Sequence, residues 1–472
     1  MAAKARALSL MGAVSGASCR CPAHGGGLSS HASYQATRCA GDSPNTDYAF
    51  EMACSNIRFG EGVTQEVGYD FANMKAKRLA VVTDKNISKL PVMKTVLDSL
   101  TKQNLNFDVF DDVTIEPTDV SFNKAISWAK QGSFDSYLAV GGGSVMDTCK
   151  VANLYASDPD QSKELLDYVN PPIGKGTPVT HTLHPLIAIP TTAGTGSETT
   201  GVAVFDLHDL KAKTGIGSRA IRPLLGIVDP LNVMTMPNRV AAYSAFDVFC
   251  HALESYTALP YNKRSPRPAN PINRPAYQGS NPISDVWSKQ ALRMCSSFMI
   301  DSINSPDNFE ARKQMCAASA FAGIGFGNAG VHLCHGLSYG ISGNVKAYHA
   351  NGYPTEKPLI PHGLSVVITA PAVFKWTAPA CPERHLEAAQ ILGRDTSNDK
   401  LADAGVILAD IIKDYCNKLE IDDGLKTLGY TSSDIPALVE ATIPQERVTK
   451  LAPREKTRED LASILENSLT MY

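Results

Sequence analysis

The sequence predicts an α/β domain followed by an all-helical domain, and three observations carry the prediction. Short apolar runs in the first half, RLAVVTDKN, SYLAV and PLIAIP, have strand length and each leads into a loop where ligands gather. Beyond about residue 235, apolar residues recur at helical spacing, as in ASAFAGIG, DAGVILADIIKDY and REDLASILENSL. Pro237 suits the first turn of a helix there. Four residues able to hold one metal ion, Asp247, His251, His335 and His362, all lie in this second half, downstream of a glycine-rich loop. The expected boundaries are 46–234 for the α/β domain and 235–472 for the helical, metal-binding one.

Composition supports two sizeable cores, with 472 residues, 43% hydrophobic and 19% charged. A net charge of −3 supplies no electrostatic drive toward nucleic acid or an anionic membrane. No apolar run approaches the roughly 20 residues of a spanning helix. The eleven cysteines form no CxxC pair, which points to reduced thiols, with Cys250 and Cys334 as small buried hydrophobes. Residues 1–45 differ from the rest: Lys4, Arg6, Arg20 and Arg38 stand among Ser and Ala, and no acid precedes Asp42. Such a segment reads as a mitochondrial transit peptide, hence a matrix location.

The first strand ends at Asp84, where a carboxylate can accept hydrogen bonds from both hydroxyls of an adenosine ribose and repel a 2′-phosphate, favouring NAD over NADP. The second runs into Gly141, Gly142, Gly143 and Ser144, which let the backbone approach a pyrophosphate at a helix N-terminus. Asp147 is expected in the first turn of that helix, where a carboxylate suits the dipole. The third leads to Thr191, Thr192, Thr195 and Ser197, whose hydroxyls are interleaved with Gly194 and Gly196. Both loops at strand ends fit a dinucleotide crevice, although the acid precedes the glycine loop instead of following it by about 20 residues. A textual GxGxxG at Gly325, Gly327 and Gly330 follows a small-residue helix, so close helix packing accounts for it better.

Asp247 and His251 stand in AFDVFCHALESY at i, i+4, one turn apart on a single helix face. His335 and His362 are each followed by glycine, which leaves room against the backbone for something bulky, such as a cofactor. One carboxylate with three imidazoles suits Zn²⁺ or Fe²⁺ and leaves a position for a substrate oxygen. Between these sites lies LPYNKRSPRPANPINRPAYQGSNPIS, whose prolines preclude a regular helix and whose formal charges are Lys263, Arg264, Arg267 and Arg274. Either it is a solvated loop, or Arg264, Arg267 or Arg274 clamps a substrate carboxylate.

In this order, GGGSVMD, IPTTAGTGSE, the D-x-x-x-H helix, the His335 glycine pair and the PHG at His362 resemble the iron-containing alcohol dehydrogenase family, from about residue 47 to 472. The resemblance implies a fold shared with dehydroquinate synthase, an α/β dinucleotide-binding domain and an all-α domain with the metal in the cleft between them. It implies metal ligation by Asp247, His251, His335 and His362, and NAD contacts from Asp84, Gly141, Gly142, Gly143, Ser144, Asp147, Thr191, Thr192, Thr195, Thr200 and Lys213. One departure concerns catalysis: many members carry a second histidine four residues after the equivalent of His335, where this chain has Tyr339. Tyr339, or His332 one turn before His335, is the candidate for proton transfer in its place.

Within the family, GVHLCHGLSY, RPAYQGSNPISD and the tail PQERVTKLAPR are similar to members that carry hydride between two acids through a retained NAD(H). That resemblance implies 4-hydroxybutyrate as donor and 2-oxoglutarate as acceptor, giving succinate semialdehyde and (R)-2-hydroxyglutarate. The expected partners are these small acids, with no nucleic acid or membrane, and a homo-oligomer is left open. An ordinary NAD-dependent dehydrogenase that releases NADH would share every motif. A lyase of the dehydroquinate synthase type fits GGGSVMD and PHG less well, and a non-catalytic binding protein would not need all four ligands.

Overall fold

A computed structural model describes residues 45–207, 212–353 and 355–472. The expected transit segment lies outside these residues up to Pro44. Six parallel strands form one sheet in the order β1-β8-β5-β4-β2-β3. They are β1 (Asn56–Phe59), β2 (Leu79–Val82), β3 (Phe107–Phe110), β4 (Ser136–Gly141), β5 (Leu186–Pro190) and β8 (Leu225–Val228). An antiparallel hairpin, β6 (Val202–Leu207) and β7 (Ala212–Gly217), pairs from Val202 with Gly217 to Leu207 with Ala212.

Side chains alternate across the sheet as strand geometry requires. Leu79 and Val81 of β2, with Leu138 and Val140 of β4, pack on one face against α1 (Val67–Asn73) and α2 (Pro91–Lys102). Ala80, Val82, Tyr137 and Ala139 pack on the other, against α3 (Asp119–Gly132) and α4 (Gly143–Ser157). Burial on both faces explains why these strands read as unbroken apolar runs. The chain leaves β2 for the edge strand β3, then returns to the far side of β2 as β4. This reversal is a topological switch point, so the C-terminal ends of β2 and β4 open a crevice between adjacent strands. Asp84 and the Gly141–Ser144 loop stand at those two ends.

From Asn238 onward the described chain is helical: α5 (Asn238–Thr257), α6 (Pro282–Asn304), α7 (Phe309–Ala329), α8 (Leu333–Gly343), α9 (His362–Val367), α10 (Ala370–Thr377), α11 (Pro382–Ile391), α12 (Ala404–Lys418), α13 (Ile435–Thr442) and α14 (Arg458–Glu466). Helix α5 runs through the middle of this core, with Phe246, Phe249, Cys250 and Leu253 fully buried. A helix enclosed on all sides carries its few polar residues for a purpose. Among the described residues, no helix is long and apolar enough to cross a membrane.

Glycines Gly325 and Gly327 lie inside α7, as the small-residue reading expects. A methyl group on Gly325 would press on Ser288 of α6, and one on Gly327 would meet Thr200 at 3.3 Å. Gly323 of the same helix packs on Gly196 and Thr199, so α7 joins the helical core to the loop after β5. The proline-rich insertion contains only the short turns Tyr261–Lys263 and Pro271–Asn273 before Pro282 starts α6.

Candidate active site

Asp247 and His251 share one face of α5, and Glu254 continues that face one turn later. His335 lies in the first turn of α8, and His362 is the first residue of α9. The three imidazoles converge on one carboxylate oxygen: Asp247 Oδ1 lies 3.5 Å from His251 Nε2, 3.4 Å from His335 Nε2 and 3.6 Å from His362 Nε2. Ligand atoms of Asp247, His335 and His362 all lie within 4.8 Å of one another. Asp247 Oδ1 and His335 Nε2 are buried without a hydrogen-bond partner. Orphaned polar atoms at this depth are costly unless something else satisfies them. Lone pairs aimed at a common point fit a divalent cation, and a carboxylate with imidazoles is an ordinary donor set for one.

Sequence reasoning missed Glu254, although its spacing of i+7 from Asp247 is legible there. Its Oε2 hydrogen-bonds His335 Nδ1, and its Oε1 accepts from the backbone N–H of His332 at 3.0 Å and of Cys334 at 2.7 Å. One carboxylate thus caps α8 and fixes the tautomer that leaves His335 Nε2 free as a donor atom. Burial opposes ionisation of Glu254, but His335, His332 and these hydrogen bonds hold it down to about 2. Burial pushes His251 down to about 3 and lowers His362, keeping both neutral as ligation requires. His335 is raised despite its burial because Glu254 and Asp247 flank it, and a cation bound at Nε2 would take the place of that extra proton.

The glycines after His335 and His362 serve packing, contrary to the expectation of space for a bulky group. A methyl on Gly336 would strike Thr449, and one on Gly363 would collide with the Tyr243 carbonyl. Gly363 therefore lets α9 press on α5 one turn before Asp247, which brings His362 to the ligand cluster.

A cavity of about 110 Å³ joins this cluster to the nucleotide loops. Its walls include Asp247, His251, His335 and His362 on one side and Gly143, Ser144, Asp147, Thr195 and Thr200 on the other. Gly142 is the N-cap of α4 and makes no side-chain cap; its carbonyl takes the Val145 and Met146 N–H groups, and those of Gly143 and Ser144 stay available to an anion. Methyl groups on Gly142 and Gly143 would press on Thr192 and Thr195. Thr191, next to Thr192 and directly after β5, has a buried hydroxyl without a partner. Asp147 sits in the second turn of α4, not the first, and serves the loops instead of the dipole: it accepts from Ser197 Oγ at 2.7 Å and from the Val204 N–H at 2.9 Å. Asp84 holds the turn after β2, accepting from the Asn86 and Ile87 N–H groups at 2.8 and 3.0 Å, and does not line this cavity. Lys213 lines it with its charge engaged by Glu116 at 2.6 Å and Asp206 at 3.0 Å.

Tyr339 is one turn beyond His335 on α8 and lines the cavity. His332 does not reach it: it caps α8 through Nδ1, which accepts from the Leu333 N–H at 2.8 Å, and its Nε2 lies 3.0 Å from Thr257 Oγ1 in the core. The loop arginines are likewise drawn elsewhere. Arg274 binds Asp47 at 3.0 Å and Glu51 at 3.3 Å, Arg267 lies over the Tyr48 ring, and Arg264 is 3.7 Å from Asp47. These partners lie in residues 47–51, so the insertion is a strap across the start of the described chain and none of its arginines lines the metal cavity.

Residues 54–230 match the iron-containing alcohol dehydrogenase family, and residues 276–469 match the C-terminal part of the Fe-containing alcohol dehydrogenase family. The chain is 60% identical to the mitochondrial hydroxyacid-oxoacid transhydrogenase of Xenopus laevis over 97% of its length and 96% of the relative's. It is 58% identical to the protein of that name from Homo sapiens, covering 100% of this chain and 99% of that one. Among solved structures, a 1,3-propanediol oxidoreductase superposes with a TM-score of 0.77 at 24% identity, covering 89% of this chain and 100% of its own. An alcohol dehydrogenase from Oenococcus oeni gives 0.77 at 25% identity, with 89% and 100% covered.

Proposed function

This chain belongs to the iron-containing alcohol dehydrogenase family, and from that premise we propose that it is a mitochondrial hydroxyacid–oxoacid transhydrogenase, moving hydride from 4-hydroxybutyrate to 2-oxoglutarate through NAD(H). The observation that carries the reading is the single cavity shared by the ligand cluster and the uncapped helix N-terminus, because hydride transfer needs an activated carbinol and a nicotinamide in contact. Asp247, His335 and His362, joined by His251 whose Nε2 lies 3.5 Å from the same carboxylate oxygen, would hold a divalent metal, Fe²⁺ or Zn²⁺, with Glu254 orienting His335. The amides at the start of α4, with Thr192 and Thr195, receive the pyrophosphate, and Asp84 at the end of β2 receives the ribose. When bound, the metal supplies acidification of a hydroxyl or polarisation of a carbonyl, and NAD(H) accepts and returns the hydride.

The chain's own residues then orient and enclose the reactants. Phe326 stacks on His251 at 3.8 Å, and Tyr277 and Val331 complete an apolar wall that limits water around the reacting carbon. Tyr339 Oη accepts from Arg447 Nη2 at 2.8 Å, which leaves its own proton free to donate to the substrate oxygen. Retention of the cofactor between half-reactions makes the cycle a transhydrogenase; the names of the relatives support this. The basic, acid-poor segment before Asp42 and those same names support a mitochondrial matrix location.

The test is to incubate purified, metal-loaded protein with 4-hydroxybutyrate and 2-oxoglutarate without added NAD. Equal formation of succinate semialdehyde and 2-hydroxyglutarate by mass spectrometry is the expected result. No reaction without NAD, with steady NADH release once NAD and an alcohol are supplied, would leave an ordinary dehydrogenase.

A further inference from the structure

The acids named above bring carboxylates to a cavity whose one cationic wall residue, Lys213, is already paired with two acids. Beside it lies a second cavity of about 810 Å³ that shares Val202 and Tyr277 with the first. Its lining is basic: Lys263, Arg264, Arg447, Lys450, Arg454 and Lys456 face Glu446 and Glu455. Arg264 is shared with Asp47 and Lys450 pairs with Glu446 at 2.5 Å, which leaves Lys263, Arg447, Arg454 and Lys456 against Glu455, a positive excess in a chain of net charge −3.

Arg447 occupies the boundary between the two spaces. Its Nη2 donates to Tyr339 Oη at 2.8 Å, and its guanidinium lies 5.2 Å from the centre of the Tyr277 ring, both tyrosines lining the metal cavity. Its Nη1 is buried and has no hydrogen-bond partner. Asn170 lines the same outer cavity, and its Nδ2 is likewise a buried donor without a partner. Both side chains approach the same backbone position, Gly217 of β7, where a methyl group would lie 3.5 Å from Asn170 Nδ2 and 3.8 Å from Arg447 Cδ. Two orphaned donors on residues lining one cavity, one of them a guanidinium, are complementary to a carboxylate, which offers two acceptor oxygens and the opposite charge.

We propose that Arg447, assisted by Asn170, binds the carboxylate of the hydroxy acid or oxo acid, with the basic outer cavity as its approach. The assignment rests on the reading of the metal cavity as the site of hydride exchange between acids. It replaces the loop arginines, of which Arg264 and Arg274 face Asp47 and Glu51 and Arg267 lies over the Tyr48 ring. It also accounts for Arg447 in the tail PQERVTKLAPR, since an uncharged alcohol offers no group that would need a guanidinium.

The test compares wild type, Arg447→Gln and Arg447→Lys, each metal- and NAD-loaded. Calorimetry measures binding of 2-oxoglutarate, and the oxidation half-reaction is run with 4-hydroxybutyrate and with uncharged 1,4-butanediol. The expected result for Arg447→Gln is roughly 100-fold weaker binding of 2-oxoglutarate and a similar rise in KM for 4-hydroxybutyrate, with the KM for butanediol raised far less, while kcat falls alike for both substrates because Tyr339 loses its donor. Arg447→Lys keeps the charge without the fork and should recover about tenfold of that loss. Unchanged 2-oxoglutarate binding in Arg447→Gln, or an equal rise in KM for acid and diol, would overturn the inference while wild-type hydride exchange left the proposed function standing. A wild-type protein that neither binds nor exchanges these acids would overturn both.

Discussion

Glu254 reaches from the central helix α5 to the first turn of α8 and hydrogen-bonds His335 Nδ1, so one residue of the buried helix orients an imidazole on another. The same carboxylate accepts backbone N–H groups of α8 that would otherwise be orphaned. Arrangements of this kind tune metal affinity about 10–100-fold. Glu254→Gln keeps the shape and an acceptor but loses the charge, and is expected to weaken metal binding by that factor with the fold retained. Chelator competition measures it; affinity equal to wild type would reduce Glu254 to a helix cap.

Gly363 tests whether the approach of α9 to α5 places His362. In Gly363→Ala the new methyl would run into the Tyr243 carbonyl, a backbone atom that cannot swing aside. The expected cost is about 1–3 kcal/mol of stability, with His362 displaced and metal content lowered. Chemical denaturation and metal analysis read the two effects. Full metal occupancy in a destabilised protein would show that His362 is positioned from elsewhere.

How far the sequence reveals this site depends on the range of each interaction. Asp247 and His251 are legible because helical spacing alone puts them on one face, and Glu254 is open to the same reasoning at i+7. The glycine loop is legible because a strand followed by three glycines and a helix has few other uses. The arginines misled because a cation's partner is set by tertiary contact: nothing in the spacing of Arg274 says that Asp47 lies 3.0 Å away. Arg447 was hidden for the same reason, standing in the four-residue helix Glu446–Thr449, too short to show a periodic face. His332 shares the face of His335 in sequence, but it precedes the helix as its cap and so points into the core. The edge strands escaped as well, since β3 is half-exposed and β1 begins and ends exposed, without the apolar run that marks β4.

Tyr339 separates proton donation from packing. With Arg447 donating to its oxygen, the hydroxyl proton is directed by what the cavity holds. Tyr339→Phe is expected to lower kcat about 100-fold, with metal content unchanged and KM for 4-hydroxybutyrate raised much less than in Arg447→Gln. A kcat like that of wild type would assign the tyrosine to packing and to support of the guanidinium.

His385, which does not line the metal cavity, gives the protein an acid-labile contribution to stability. It is fully buried, with Nδ1 2.9 Å from the Cys381 carbonyl and Nε2 3.0 Å from Thr377 Oγ1, a pattern that suits the neutral ring. Burial pushes it from 6.5 down to about 4. Above pH 6.5 both folded and unfolded chains hold the neutral form, so this group makes no pH-dependent difference. Below it the unfolded chain takes up a proton that the folded chain refuses, so stability falls as pH drops from about 6.5 to about 4 and levels off beneath, a total of about 3 kcal/mol. Urea denaturation between pH 7.5 and 4.5 measures the slope for wild type and His385→Gln in the same metal state. The variant is expected to start less stable at neutral pH and to lose less on acidification; parallel slopes would mean that His385 already carries its ordinary pKa in the folded protein.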